Sequence, residues 1–222
     1  TVIKMLEDLT HRDPKTIPFD DPATLSIFNS TTALGVTPEL LGANSGTYGI
    51  PEFRTNFTRQ MIDDTNPKCF SDLVRISGFS HGTDVWLGNA QDLIKAGTCT
   101  LQNAISARDD IMIYLMHSGV DPLASFKIME RVRKGKGIPE DQVEMLREKK
   151  IPEWYIESCQ KIKYMFPRAH ATAYVMMAYR IAFCKVHYPL AYYAAYCSIR
   201  AAACDADIIS LGQKAVEEKM AE

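Results

Sequence analysis

The chain has 222 residues, 46% of them hydrophobic and 23% charged, with a formal net charge of −2. That balance is ordinary for a soluble globular chain of one or two domains. It excludes a membrane-spanning segment, because no run approaches the roughly 18 uncharged apolar residues that a span requires.

Helical signals follow one another along the chain. Thr1-Val-Ile-Lys-Met-Leu-Glu-Asp-Leu9 opens in the middle of a helical pattern, with no initiator Met and no charged-then-apolar leader. A processed or excised fragment is the expectation. Asp21-Pro22 and Ile50-Pro51 each place Pro where a first helical turn tolerates it, ahead of amphipathic runs. Two Gly-rich loops are expected, at Gly42 to Gly49 and at Ser77 to Asp84. Asp121-Pro122 opens a helix in which Phe126, Met129 and Val132 recur at helical spacing, and Gly135 stands where that helix stops. Pro139 to Lys150 reads as a charged, solvent-facing helix, and Pro152 opens another reaching about Met165. A long apolar helix runs from His170 to His187, and an Ala- and Tyr-rich one continues to about Arg200. Strand signals are nearly missing, so the expected fold class is all-α.

Cys69, Cys99, Cys159, Cys184, Cys197 and Cys204 form no C-x-x-C pair, which argues against zinc and for free, mostly buried thiols in a reducing cytoplasm. Charge is unevenly spread. Residues 1–66 carry 5 Lys and Arg against 9 Asp and Glu, residues 67–200 carry 18 against 13, and the tail carries 2 against 5. A basic middle between acidic ends leaves room for a local anion site.

Two stretches carry the strongest chemistry. In Lys127 to Gly137 the cations Arg131, Arg133, Lys134 and Lys136 crowd a helix end and a turn with two glycines. Glycine there would let an anion approach backbone N–H groups. The alternative is that these cations only complement the helix dipole. In Lys161 to Tyr174, Lys161, Lys163, Arg168 and His170 precede a long helix whose start offers unpaired N–H groups. His170 and Tyr174 are four apart and share a face. Tyr174 and Tyr179 either stack on a base or fill the core. A third stretch, Gly78-Phe-Ser-His-Gly-Thr-Asp84, holds Ser, His and Asp close in sequence, but a catalytic triad is rejected because its members come from separate elements. A polar loop touching a ligand, or a helix cap at Asp84, is the better reading. Asp63-Asp64 and Asp109-Asp110 are adjacent pairs that diverge on a helix, so helix capping is expected rather than metal binding.

Several blocks together resemble the PolC-type bacterial DNA polymerase III alpha subunit. They are Gly46-Thr-Tyr-Gly-Ile-Pro-Glu-Phe53, Ile76-Ser-Gly-Phe-Ser-His-Gly-Thr-Asp-Val-Trp86, Arg108-Asp-Asp-Ile-Met112, Lys127 to Gly137 and Lys161 to Tyr174. The resemblance departs at Arg54, where glycine is expected, and at Thr172, where alanine is expected. It implies an irregular multi-helix fingers region over residues 1–204, beginning just after the palm, with 205–222 starting the following duplex-binding region. The implied function is that of a fragment of a replicative DNA-directed DNA polymerase, a cytoplasmic nucleotidyltransferase. The fingers would bind the incoming dNTP and primer-template DNA. Mg²⁺ would be held by the palm aspartates, which lie upstream of Thr1, so the chain alone is expected to be inactive. The sliding clamp and other replisome subunits would bind through regions outside this chain. Residues implied to bind dNTP are Ser80 and His81 at the base end, with Arg108, Arg133, Lys134, Lys136, Lys163, Arg168, His170 and Tyr174. Arg131, Lys161 and Arg180 are implied to bind DNA. The alternative is a non-enzymatic helical module that binds nucleic acid.

Overall fold

A computed structural model describes residues 1–221, and several of its helices begin where the sequence supplies a capping side chain. In chain order they are α1 (Val2–Thr10), α2 (Pro22–Ser26), α3 (Pro38–Leu41), α4 (Asn56–Thr65), α5 (Phe70–His81), α6 (Gln91–Lys95) and α7 (Arg108–His117). They continue as α8 (Pro122–Val132), α9 (Glu140–Glu148), α10 (Glu153–Lys161), α11 (Arg168–His187), α12 (Pro189–Ile199), α13 (Ala206–Ser210) and α14 (Gln213–Ala221). Asp21 accepts from the Thr24 N–H at 2.8 Å and Asp121 from the Ala124 N–H at 3.0 Å, each with Pro in the first helical position. The cap satisfies an amide that has no partner inside the helix, and Pro has no N–H to lose there. Among the described residues no helix is long and apolar enough to cross a membrane, and the one β-type pairing is an isolated bridge between Thr83 and Tyr164.

Four local expectations are corrected. Ile50-Pro51 forms a turn, because Glu52 adopts φ 71°, and the next helix waits for the Thr55 cap. Ser77 to His81 is the last part of α5 and not a loop. Glycine stands at 78 within that helix because a Cβ would lie 2.6 Å from the Ser106 carbonyl oxygen. The helix opened by Pro152 ends at Lys161, where Ile162 turns to extended backbone. Phe126 is 47% exposed, while Met129 and Val132 of the same stripe are buried. At Arg54 the backbone does not take a positive φ, so the side chain is tolerated.

The chain folds as two units. One comprises Thr1–Pro18 with the chain from Arg180 onward, and the other is Phe19–Tyr179. In the first, α1 packs on α12 and buries Leu6, while α12 buries Tyr192 and Ala195. Lys185 is buried in this unit, and burial pushes its ammonium down to about 8. In the second, Tyr179 is fully buried and meets Phe19 and Phe70 edge-on, at ring centroids 5.5 and 5.8 Å away. Its hydroxyl donates to the Asp21 carbonyl at 3.2 Å. Tyr179 therefore fills the core, whereas Tyr174 on the same helix is 49% exposed.

Residues 162–167 form an extended strap between α10 and α11 that bonds in turn to three separate elements. Thr83 donates to Tyr164 O at 2.9 Å and Lys163 donates to Thr83 O at 3.0 Å. Met165 donates to Arg133 O at 3.3 Å, and Arg108 donates to Phe166 O at 3.1 Å. Polar clamps hold the neighbouring segments. The buried Asn89 amide donates to Asp84 O and Ser158 O and accepts from the Ser158 hydroxyl at 2.6 Å. The Gln160 amide bonds both the N–H and the C=O of Ile138. Cys159, beside these clamps on α10, is buried, and desolvation pushes its thiol far above the ordinary range.

The two glycines of the basic turn serve this packing. Gly135 has φ 69°, and a Cβ there would lie 2.6 Å from Lys163 O; at Gly137 (φ 59°) it would lie 2.2 Å from Gln160 Oε1. Gly97 has a similar φ of 70° but open space around it. Gly97→Ala is expected to cost about 1 kcal/mol, the left-handed backbone term alone. Gly135→Ala is expected to cost about 3 kcal/mol, because the strap must also move. Urea unfolding of both variants checks this, and equal losses would refute the role of close approach.

Candidate functional site

The strap brings together side chains that lie far apart in sequence. Glu130, near the end of α8, accepts from Arg133 Nε and Nη2, pairs with Lys134 Nζ at 2.9 Å and lies 3.8 Å from Arg108 Nη1. Arg133 and Lys134 hold the Glu130 carboxyl down to about 2. Three cations from α7 and the basic turn thus surround one carboxylate, leaving the group with an excess of positive charge. The sequence reading missed Glu130, although its spacing of three and four residues to Arg133 and Lys134 is the helical ion-pair spacing.

A row of rings lies along the strap and the first turns of α11. Tyr164 meets Phe166 at 5.0 Å, Phe166 stacks on His170 at 4.9 Å, and His170 meets Tyr174 at 4.6 Å. The last pair bears out the shared face expected from their spacing. His81 joins the row edge-on to Phe166 at 5.9 Å and to His170 at 6.3 Å. Its Nδ1 lies 2.7 Å from Ser77 O, and its Nε2 is 2.8 Å from Glu52 Oε2. The Ser80 hydroxyl donates to Ser77 O at 3.0 Å. Glu52 and Phe166 were also missed, and Glu52 gave no sequence signal because a turn carries it to α5 from 29 positions away.

Arg168 is bound to the helix start of α7. Its N–H donates to Asp109 Oδ2 at 2.7 Å and its guanidinium pairs with Asp110, which Arg75 also approaches at 3.6 Å. Asp110 accepts from the Ser106 and Ala107 N–H groups at 2.9 and 3.0 Å, so it caps α7 as expected. Asp64 does not cap a helix. It sits near the C-terminal end of α4 and bonds Gln91 at 2.8 Å and Lys95 at 3.1 Å. Asp84 likewise caps nothing; it takes a left-handed φ of 57° in the turn after α5.

The remaining candidates are more dispersed. Lys136 is exposed beside the strap and Lys163 is exposed within it. Arg131 Nη2 turns back to Lys136 O at 3.4 Å, and Lys161 Nζ donates to Gly88 O at 3.0 Å. Arg180 lies on α11 within the other unit. Cys99, Cys159 and Cys184 are buried, while Cys69 is exposed and Cys197 and Cys204 are half-buried. Among the described residues no three His, Cys, Asp or Glu side chains are grouped to hold a metal ion.

With this geometry, residues 1–153 match the family described as the bacterial DNA polymerase III alpha subunit finger domain, and the chain belongs to that family. The chain is 60% identical over its whole length to a DNA polymerase III PolC-type of Clostridium perfringens, covering 15% of that protein. It is 59% identical over 211 residues to the PolC-type polymerase of Staphylococcus saprophyticus and 58% identical to that of Staphylococcus aureus. These alignments cover 95% of the chain and 14% and 15% of the two relatives. The chain therefore spans about one seventh of the length of these relatives.

The pairing with Glu52 raises the pKa of His81, helped by the Ser77 carbonyl and opposed by burial. A raised folded value means that this pairing stabilises fully below the ordinary imidazole value of about 6.5 and is lost as pH rises through the folded value. Glu52→Gln is expected to lower the His81 pKa read by NMR. The stability difference between wild type and variant should be larger at about pH 5.5 than at about pH 9. An unchanged His81 titration would refute the pairing.

Proposed function

We propose that this chain supplies the nucleotide- and template-facing fingers of a replicative DNA-directed DNA polymerase. The observation that carries the reading is the convergence, along one strap, of the cation group at Arg108, Arg133 and Lys134 with the row of rings from His81 to Tyr174. Guanidinium and ammonium groups suit a triphosphate, and a partly exposed aromatic row beside them suits a base. Phosphoryl transfer depends on positioning and charge neutralisation more than on covalent help from the protein. In this reading Arg108, Arg133 and Lys134 grip the triphosphate, with Lys136 and Lys163 at its rim. Ser80 and His81 lie toward the base, and His170 and Tyr174 provide a stacking surface. Arg168, tied to Asp110, fixes the start of α11 while its half-exposed face meets phosphate. Arg131, Lys161 and Arg180 serve the DNA backbone.

The described carboxylates do not suit a two-metal centre, since Asp109 and Asp110 are engaged by helix-start amides and by Arg168. The reading therefore assigns catalytic Mg²⁺ to residues outside this chain and derives no step through it. The proposal also keeps residues 1–204 as fingers and 205–222 as the start of a duplex-binding region. Contacts with a sliding clamp and other replisome subunits are assigned to other parts of the parent protein, a cytoplasmic enzyme in this reading.

Arg133→Ala in a full-length polymerase carrying this chain tests the assignment. Losing a charge-assisted contact of roughly 1.5–3 kcal/mol is expected to lower the efficiency of dNTP use by about 10- to 100-fold. The loss should be similar for all four dNTPs, because phosphates carry no base identity, and DNA affinity should be less affected. Steady-state kinetics with a DNA titration read both. Weaker DNA binding with a shallower salt slope and unchanged dNTP use would instead favour a nucleic-acid-binding module.

A further inference from the structure

A cleft of about 310 Å³ opens between α7, the first turn of α10 and the 102–104 loop, wholly within the Phe19–Tyr179 unit. Of the residues implied by the family resemblance it contains only Arg168, so it lies apart from the cations gathered on Glu130. Three rings line it. Tyr155 is buried and holds the other two: Tyr114 stacks on it at 4.2 Å, and Trp154 meets it edge-on at 5.4 Å. Tyr114 and Trp154 are only half-buried, so ring surface is held in place without being covered. Beside the rings, Arg75 and Arg168 both turn to Asp110, and Arg75 Nη1 also donates to Ala104 O at 3.1 Å. Asp110 already accepts from the Ser106 and Ala107 N–H groups. Two guanidiniums therefore share one engaged carboxylate, and the Arg168 side chain remains 42% exposed. Asn103, exposed on the loop, adds an amide that can both donate and accept.

A ligand that satisfies this lining needs a flat π face for Tyr114 and Trp154, polar edge groups for Asn103 and a negative charge for Arg168. A nucleotide unites all three. The volume stands at the lower end of the roughly 300–1,000 Å³ typical of ligand sites, which suits a single base. A base inside a duplex has both faces covered by its neighbours, so only an unstacked one can enter. We propose that this cleft is a binding site for one unstacked nucleotide of single-stranded DNA, with its base against Tyr114 and Trp154 and its phosphate on Arg168. The site goes beyond the nucleotide reading above and shares only Arg168 with it.

Trp154 can report its own occupancy, because the other tryptophan, Trp86, is 2% exposed and lies outside the cleft. The test titrates this 222-residue chain with a short oligothymidylate and with an abasic oligodeoxynucleotide of the same length, at about 0.1 M salt. The two strands carry the same phosphates, so they differ only in what can stack. Oligothymidylate is expected to quench Trp154 emission and to bind about tenfold more tightly than the abasic strand. Equal affinity for the two strands overturns the inference, since binding would then be to the backbone alone. Trp154→Leu should abolish the tenfold preference and Trp154→Phe should retain it, both read by anisotropy of dye-labelled strands. A preference that survives Trp154→Leu places the base elsewhere and also overturns the inference. The wild-type comparison needs no variant, so it decides even where Trp154→Leu fails to fold. Trp154 emission that responds to an acidic, phenylalanine-containing peptide but not to oligothymidylate overturns the inference in favour of a protein partner. Each of these failures leaves the nucleotide reading standing, because that reading is tested by dNTP use in the Arg133→Ala polymerase.

Discussion

The backbone bonds of the 162–167 strap are the constraint on which the second unit's surface depends. A segment without regular structure normally leaves its amides and carbonyls to water, yet here Lys163 and Tyr164 bond Thr83, Met165 bonds Arg133 and Phe166 bonds Arg108. The strap thereby fixes three distances at once: α5's end to α10, the basic turn to α11, and the start of α7 to the ring row. Side chains that lean on the strap inherit its position. The left-handed glycine at 135 is what lets the turn come close enough for the Met165 bond to form.

Electrostatics on this surface follows from the same placement. Arg168 and Arg75 converge on Asp110, which is already engaged by helix-start amides, while Arg108, Arg133 and Lys134 converge on Glu130. The two carboxylates are not equivalent. Asp110 is nearly buried and bonded on several sides, so its loss would leave charges and amides unpaired. Glu130 is reachable from solvent and bonded only to cations. One acid therefore builds the scaffold, and the other sits among cations at the surface.

Much of the helical order was legible from capping chemistry and periodicity, because those signals are local. Asp21-Pro22, Asp121-Pro122 and the long run ending at His187 each needed only a few neighbouring residues to be read. What failed was tertiary. Gly78 and Gly135 look like loop glycines in sequence, but each is required where another backbone passes close by, and nothing within a few residues reports that. Phe126 follows the apolar stripe and still faces out. The cations at this surface stood out because like charges cluster visibly in the chain, whereas Glu52, brought to His81 by a turn, had no local mark. Family resemblance identified the blocks; their meeting along one extended segment was not readable from any of them singly.

Cys159 gives this arrangement a chemical clock. Its thiol sits between Ser158, clamped to Asn89, and Gln160, clamped to Ile138, one turn ahead of the strap. Thiol reagents attack the thiolate, and burial both hides this sulfur and suppresses its ionisation. Alkylation of Cys159 thus requires an opened form that exposes α10's inner face, while Cys69 is already exposed. The labelling rate of Cys159 against that of Cys69 reports opening at the strap's anchor, read from cysteines the sequence already carries.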